Sequence, residues 1–201
     1  MDVGIVILAA GNGTRFGGNK LLAPLAGQPV VGHVLALVPA RLCARTRLVT
    51  QYQALFALGA AHGIPVIRND RPELGQSHSV RLGVQALADT DGILFLAGDQ
   101  PWVRKQTVTA LLELFAQHPD HIVGAASDGR LRNPCVFPRS LYPELLSLEG
   151  DTGGRPVLMA HRALWLGLET DPAELRDIDR REDLPDTEAG RSAQHATNLE
   201  G

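Results

Sequence analysis

An apolar run, Val3 to Ala10, breaks without a polar transition into Gly11-Asn12-Gly13-Thr14-Arg15-Phe16-Gly17-Gly18. A run of that length reads as a strand buried on both faces, and such strands belong to parallel sheets covered by helices. The glycines permit the close approach and unusual dihedrals by which a loop offers backbone amides to an anion. A second buried run, Gly92 to Ala97, stops at Gly98-Asp99-Gln100-Pro101. Around these two runs, strand-like and helix-like stretches alternate. Arg47 to Thr50, Ile64 to Arg68 and Ile122 to Ala125 read as strands. Helical spacing falls over Val30 to Pro39 (opened by Pro29), Gln53 to Ala61, Gln76 to Ala88 and Gln106 to Gln117. Alternation at this spacing implies βαβ units, right-handed crossovers and an α/β domain with a mostly parallel sheet.

The second half is less regular. Cys135 to Phe137 and Ala163 to Leu168 look extended, Leu141 to Leu148 and Pro156 to Arg162 helical, and Arg176 to Asp179 is expected to return to the sheet. A single domain over 1–185 follows, and the polar, aperiodic residues 186–201 read as a loose tail. With 201 residues, 44% hydrophobic, the chain can bury a core without disulfide or metal staples. Nineteen Lys and Arg against 22 Asp and Glu give a net charge of −3, which argues against nucleic acid or a polybasic membrane surface as partner. Cys43 and Cys135 are read as buried thiols of a reducing compartment. No apolar stretch approaches the ~20 residues of a membrane span, and the start lacks the positive region of a signal peptide, so a cytoplasmic location is expected.

The glycine loop fits neither common phosphate-binding pattern. Lys20 does not directly follow a glycine and has no Ser or Thr after it, which excludes a Walker A loop. Gly11, Gly13 and Gly17 are spaced one residue too widely for a dinucleotide fingerprint, and no acidic residue stands about 20 positions on. What remains is a loop carrying two cations, the planar fork of Arg15 and the point charge of Lys20.

Leu8-Ala9-Ala10-Gly11-Asn12-Gly13-Thr14-Arg15-Phe16-Gly17-Gly18-Asn19-Lys20-Leu21-Leu22 resembles the signature of nucleotidyltransferases built on the molybdenum-cofactor guanylyltransferase-like fold. The resemblance implies a Rossmann-like three-layer domain with a mostly parallel mixed sheet, of the nucleotide-diphospho-sugar transferase type. Sugar-nucleotide pyrophosphorylases place the lysine further from the arginine, and the cytidylyltransferase of isoprenoid synthesis carries His-Asp-Ala-x-Arg-Pro where this chain has Leu96-Ala97-Gly98-Asp99-Gln100-Pro101. Ala9-Ala10-Gly11 is similar to the cytidylyl branch, whereas the guanylyl branch starts Leu-Ala-Gly-Gly. Arg132 to Phe137, Gly150-Asp151-Thr152-Gly153-Gly154-Arg155 and Asp177 to Leu184 also resemble segments of molybdenum cofactor cytidylyltransferases. The likeness covers residues 3–185. It departs at Gln100 (methionine is usual), Asn133 (histidine), Gly154 (alanine) and Arg180-Arg181 (Thr-Pro).

The resemblance implies transfer of CMP from CTP to molybdopterin with release of pyrophosphate. Leu8, Ala9, Ala10, Gly11 and Gly13 would wrap the triphosphate, with Arg15 and Lys20 catalytic. Asp99 follows a strand at the carboxyl edge of the sheet and is the first candidate ligand for Mg²⁺ or Mn²⁺, although a turn aspartate is the plain reading. Asp179 is the second candidate, with Asp177 one strand step away as its rival. Gly75 and Ser79 are candidates beside the cytosine, although helix capping explains Ser77 or Ser79 equally. Asn133, Asp151 and Arg155 are candidates for the acceptor pocket, and an Asp151–Arg155 pair holding a turn is the alternative. Trp102 is read as packing or as a border of the pterin pocket. The implied partner is a molybdenum hydroxylase of the xanthine dehydrogenase type. The alternatives are a related enzyme using GTP or another phosphorylated acceptor, and a carrier of the finished cofactor.

Overall fold

In the computed structural model, which describes residues 1–185, the two apolar runs lie side by side at the centre of a seven-stranded sheet. In chain order the elements are β1 (Val3–Leu8), β2 (Pro24–Leu25), β3 (Gln28–Pro29), α1 (Val30–Leu35), β4 (Thr46–Thr50), α2 (Ala54–Ala61), β5 (Val66–Arg68) and α3 (Gln76–Ala86). There follow β6 (Gly92–Ala97), α4 (Lys105–Gln117), β7 (Ile122–Ser127), β8 (Arg130–Pro138), α5 (Tyr142–Leu146), α6 (Arg155–Ala160) and β9 (Trp165–Glu169). The sheet order is β5-β4-β1-β6-β8-β7-β9, and β2 and β3 form a separate small hairpin. β8 runs antiparallel to both β6 and β7, while the other pairings are parallel, so the sheet is mixed and mostly parallel as expected.

Alternation along the strands builds three layers. Ile5, Ile7, Leu48, Leu94 and Leu96 face Val31, Leu35, Leu55, Val108, Leu111 and Phe115 of α1, α2 and α4. Val6, Val49, Ile93 and Phe95 face Val80, Val84, Leu145 and Val157 of α3, α5 and α6. The chain leaves β1 for β4 on one side and returns to β6 on the other. This reversal of strand order opens a crevice at the carboxyl ends of β1 and β6. Their register, Leu8 opposite Ala97, ends both strands at the same level, so the loops that follow face each other.

The structure corrects several boundaries. The helix opened by Pro29 ends at Leu35, because Pro39 disfavours a helical residue before it and the chain tightens into three-residue turns, Val38 N donating to Leu35 O at 3.3 Å. The extended stretch at Cys135 is a nine-residue strand, since both its neighbours supply ladder partners. Arg176 to Asp179 does not rejoin the sheet, where β9 already occupies the edge beside β7. Cys135 is buried as expected, and Cys43 is only half-buried. The expected tail, 186–201, lies outside the described residues.

Candidate active site

The loop after β1 is held from both ends. Ala9 N donates to Val49 O at 2.8 Å, prolonging the parallel pairing by one residue. Gly13 has φ +58°, and a Cβ there would stand 2.5 Å from Gly18 O, so the loop closes on itself only around glycine. Phe16 is buried against Leu25, Val30 and Ile178 in a small satellite core beneath the loop. Asn19 caps the short turn Lys20–Leu22 by accepting from Leu21 N, and Leu21 is buried, which fixes the direction of Lys20. Leu8 at the end of β1 and Ala9, Ala10, Gly11 and Gly13 after it therefore form one continuous segment that leads to Arg15 and Lys20.

Lys20 Nζ is 2.6 Å from Asp99 Oδ2 and 3.0 Å from Asp179 Oδ1, and Arg15 Nη1 is 4.0 Å from Asp179 Oδ2. Burial works against the lysine charge, but Asp99 and then Asp179 outweigh it and hold its pKa above the ordinary value. Asp99 comes from the loop after β6, where Gly98 packs so closely on β1 that a Cβ would sit 3.1 Å from Leu8 O. Asp179 arrives from 80 residues further along the chain. Ile178 is fully buried in the satellite core, and its amide donates to Asp99 O at 2.9 Å. That plug sets Asp177 and Asp179 on either side of it. The amides of Asp179 and Arg180 donate to Asp183 Oδ2 at 2.8 and 2.6 Å, which fixes the turn beyond.

Asp177 reaches solvent on one side, yet protein crowds it on the others. That desolvation, with Asp99 and Asp179 nearby, pushes its carboxyl up to about 6, against the opposing pull of Gln100 and Lys20. Gln100 is buried, donates to Leu175 O at 3.1 Å and leaves its Oε1 without a protein partner. Asp99 and Asp179 converge on the Lys20 ammonium. Two carboxylates, with room for water and substrate oxygens, are a donor set that suits a hard divalent ion. Trp102 faces the satellite core, with Arg176 over its ring at 5.8 Å, so of its two expected placements the structure gives packing.

A cleft of about 1110 Å³ opens beside the loop, reaching from Leu8 to the sheet face next to α6. Phe95, Phe137 and Trp165 line its apolar wall, and the exposed Arg130, Arg132, Arg155 and Arg162 line its polar side. Asn133 also lines it. The β7–β8 register shifts between Gly124, which pairs with Cys135, and Ala125, which pairs with Arg132, so Asn133 and Pro134 bulge from the ladder. Asp151 borders the same cleft but makes no ion pair with Arg155. Its Oδ1 accepts from Gln76 N at 3.2 Å and so caps α3. Gly75, φ +79°, would bring a Cβ within 2.5 Å of Gly150 O, and this close approach locks the 150–151 turn onto the start of α3. The Ser79 hydroxyl is buried and accepts from Asn69 Nδ2 at 2.9 Å. His78 is half-buried, its Nε2 3.9 Å from Asp70 and without a hydrogen-bond partner, while its Nδ1 meets Arg81 Nη2 at 3.4 Å.

The structure thus gathers Arg15, Lys20, Asp99 and Asp179 at one point, and Asn133, Asp151 and Arg155 around an adjacent cleft. Gly75 and Ser79 belong to the turn and helix between them. Sequence reasoning passed over Thr50, Gln51 and Tyr52, whose side chains bond the loop carbonyls, and over Arg130 of β8, and it read Trp165 as a packing residue, whereas Trp165 also lines the cleft. The visible signal for the first three was a polar Thr-Gln-Tyr run at the carboxyl end of a buried strand.

The pattern of the MobA-like NTP transferase domain matches residues 5–164. The chain is 31% identical over 192 residues to the purine catabolism protein PucB of Bacillus subtilis, covering 89% of this chain and 92% of that one. It is 41% identical over 113 residues to the bifunctional protein GlmU of Rhizorhabdus wittichii, an alignment that covers 54% of this chain and spans only a quarter (25%) of that relative's length. Among solved structures, a nucleotidyl transferase from Methanothermobacter thermautotrophicus superposes with TM-score 0.74 at 28% identity, covering 98% of this chain and 99% of that one. Rv0371c of Mycobacterium tuberculosis, solved in complex with manganese, superposes with TM-score 0.67 at 25% identity, covering 85% of this chain and 89% of that one. No helix among the described residues is long and apolar enough to cross a membrane.

Proposed function

Because the chain belongs to the MobA-like NTP transferase family and is a nucleotidyltransferase of that family, we propose that it transfers CMP from CTP to the terminal phosphate of molybdopterin, releasing pyrophosphate. The observation that carries the reaction class is the convergence of Lys20 with Asp99 and Asp179 at the carboxyl ends of β1 and β6, directly beside a glycine loop. An acceptor phosphate oxygen attacks the α-phosphorus in line, a new P–O bond forms, and the bond to the β-phosphate oxygen breaks with pyrophosphate leaving. Little covalent work falls to the protein, so positioning and charge stabilisation dominate. Loop amides hold the phosphates, while Lys20 and Arg15 offset the charge that gathers on them. Asp99 and Asp179 would hold a divalent cation, Mg²⁺ or Mn²⁺, which when bound neutralises phosphate charge.

Cytidylyl specificity rests on Ala9-Ala10-Gly11 and the Gly150 to Arg155 segment. A flat acceptor bearing a phosphate suits the neighbouring cleft, with an aromatic wall for the ring system and guanidinium groups for the anion. Asn133, bulged into that cleft, would meet the acceptor. The relative named as a purine catabolism protein fits a recipient among molybdenum hydroxylases of the xanthine dehydrogenase type, which oxidise purines. The test is pyrophosphate release by purified protein with Mg²⁺ and molybdopterin, comparing CTP with GTP, ATP and UTP. A CTP preference supports the proposal. A preference for GTP moves the protein to the guanylyl branch. Tight binding without release with any nucleotide leaves a carrier role or a different phosphorylated acceptor.

A further inference from the structure

We propose that Thr50, Gln51 and Tyr52 are positioning residues that set which way the phosphate loop presents its peptide groups, an inference that rests on the loop being the seat of the nucleotide's phosphates. Three consecutive loop carbonyls are tied to three consecutive residues at the end of β4. Thr50 Oγ1 donates to Ala9 O at 2.8 Å, Gln51 Nε2 to Ala10 O at 2.7 Å, and Tyr52 OH to Gly11 O at 2.7 Å. Gln51 Nε2 also donates to Asn12 Oδ1 at 2.9 Å.

In a strand, successive carbonyls alternate in direction; here three in a row turn to the same side. Across a planar trans peptide the N–H points opposite to the C=O. Tying the carbonyls of Ala9, Ala10 and Gly11 toward β4 therefore turns the amides of Ala10, Gly11 and Asn12 away from it. Among the described residues none of these three amides has a protein acceptor. Successive amides sharing one orientation form a concavity for an anion. Loop carbonyls left free to rotate would face that anion with their negative ends, so the brace acts by excluding the repulsive orientation before any ligand arrives.

Thr50 is fully buried, and Thr50 Oγ1 also accepts from the backbone amide of Tyr52 at 3.1 Å, which ties the main chain at Tyr52 to the side chain that holds Ala9 O. Tyr52 packs its ring on the main core while its hydroxyl reaches the loop, which makes Tyr52→Phe a clean removal of one bond. Gln51→Met keeps the length of the side chain and removes both of its donations.

The experiment measures binding of CTP and of inorganic tripolyphosphate, each with Mg²⁺, to wild type, Tyr52→Phe and Gln51→Met by calorimetry. Thermal melts and amide NMR resonances of Ala10, Gly11 and Asn12 are followed alongside. The brace predicts that Tyr52→Phe weakens both probes by a similar factor, about fivefold, as one lost hydrogen bond would. Gln51→Met weakens them at least as much, and the amide shifts induced by tripolyphosphate shrink while the melting temperature of Tyr52→Phe stays put. Should Gln51→Met unfold, Tyr52→Phe decides alone. Wild-type affinity for both probes in Tyr52→Phe overturns the brace and leaves the nucleotidyl reading intact. Weakening of CTP alone also overturns it, by placing these side chains at the nucleoside. If wild type binds neither probe, nor GTP, ATP or UTP, the nucleotidyl reading fails and the brace fails with it.

Discussion

Replacing Ile178 with alanine removes three carbons from a side chain that is fully buried in the satellite core with Phe16, Leu25 and Val30. At about 0.8 kcal/mol per buried carbon group, and with a cavity left behind, the loss comes to about 3 kcal/mol. That loss falls on the docking of the 176–184 segment, because Ile178 is its fully buried residue in the core that holds Phe16 of the loop after β1. The two main cores on either face of the sheet contain none of these side chains. Asp179 reaches Lys20 only while the segment is docked; Gln100 on Leu175 O, Ile178 N on Asp99 O, Leu184 on the satellite core and Arg181 over the Phe16 ring are further ties. A shift of about 3 kcal/mol changes the docked-to-free ratio by about a hundredfold, so apparent affinity for a divalent ion is expected to fall by between about ten- and a hundredfold. Mn²⁺ titration followed by electron paramagnetic resonance reads the affinity, and circular dichroism checks that the sheet still melts cooperatively. A folded Ile178→Ala protein with wild-type Mn²⁺ affinity would refute the argument that this plug delivers the second carboxylate.

Other expectations follow from single contacts. Lys20→Met and Asp99→Asn each remove a charge at the point where Arg15, Lys20, Asp99 and Asp179 meet, and kcat is expected to fall by about 10²–10³-fold, read by pyrophosphate release. Near-normal turnover in either variant would take that residue out of the mechanism. Asp151→Ala removes a cap from α3, costing about 1 kcal/mol and a drop of about 2–4 °C in melting temperature, with the KM for the nucleotide unchanged. An unchanged melting temperature together with a raised KM for the acceptor would instead make Asp151 a substrate contact. The Cys135 thiol, pushed by burial up to about 12, stays protonated and is expected to resist a disulfide reagent at pH 8 in the folded protein while the half-buried Cys43 reacts. Rapid labelling of both thiols would contradict that burial.

What the sequence determined by itself was local. Two uninterrupted apolar runs, each stopped by glycine, read as strands covered on both faces, and a glycine-dense turn carrying Arg15 and Lys20 reads as a candidate anion site. Hence the α/β class, the buried strand Gly92–Ala97 and the candidates Lys20 and Asp99 were legible before any tertiary contact was known. The tertiary structure decided what depends on distant partners. Asp179 read as the end of a sheet strand, but it reaches Lys20 because a neighbouring isoleucine fits a pocket built by residues 16, 25 and 30. Asp151 became a helix cap because Gly75 lets the 150–151 turn approach within contact. The Thr50-Gln51-Tyr52 run looked like an ordinary strand end, since periodicity reports which face a side chain takes and says nothing of which carbonyl it will meet across the sheet. Burial pattern is a property of near neighbours in the chain, whereas hydrogen-bond pairing at a site is a property of register between strands. Only the closed sheet supplies that register.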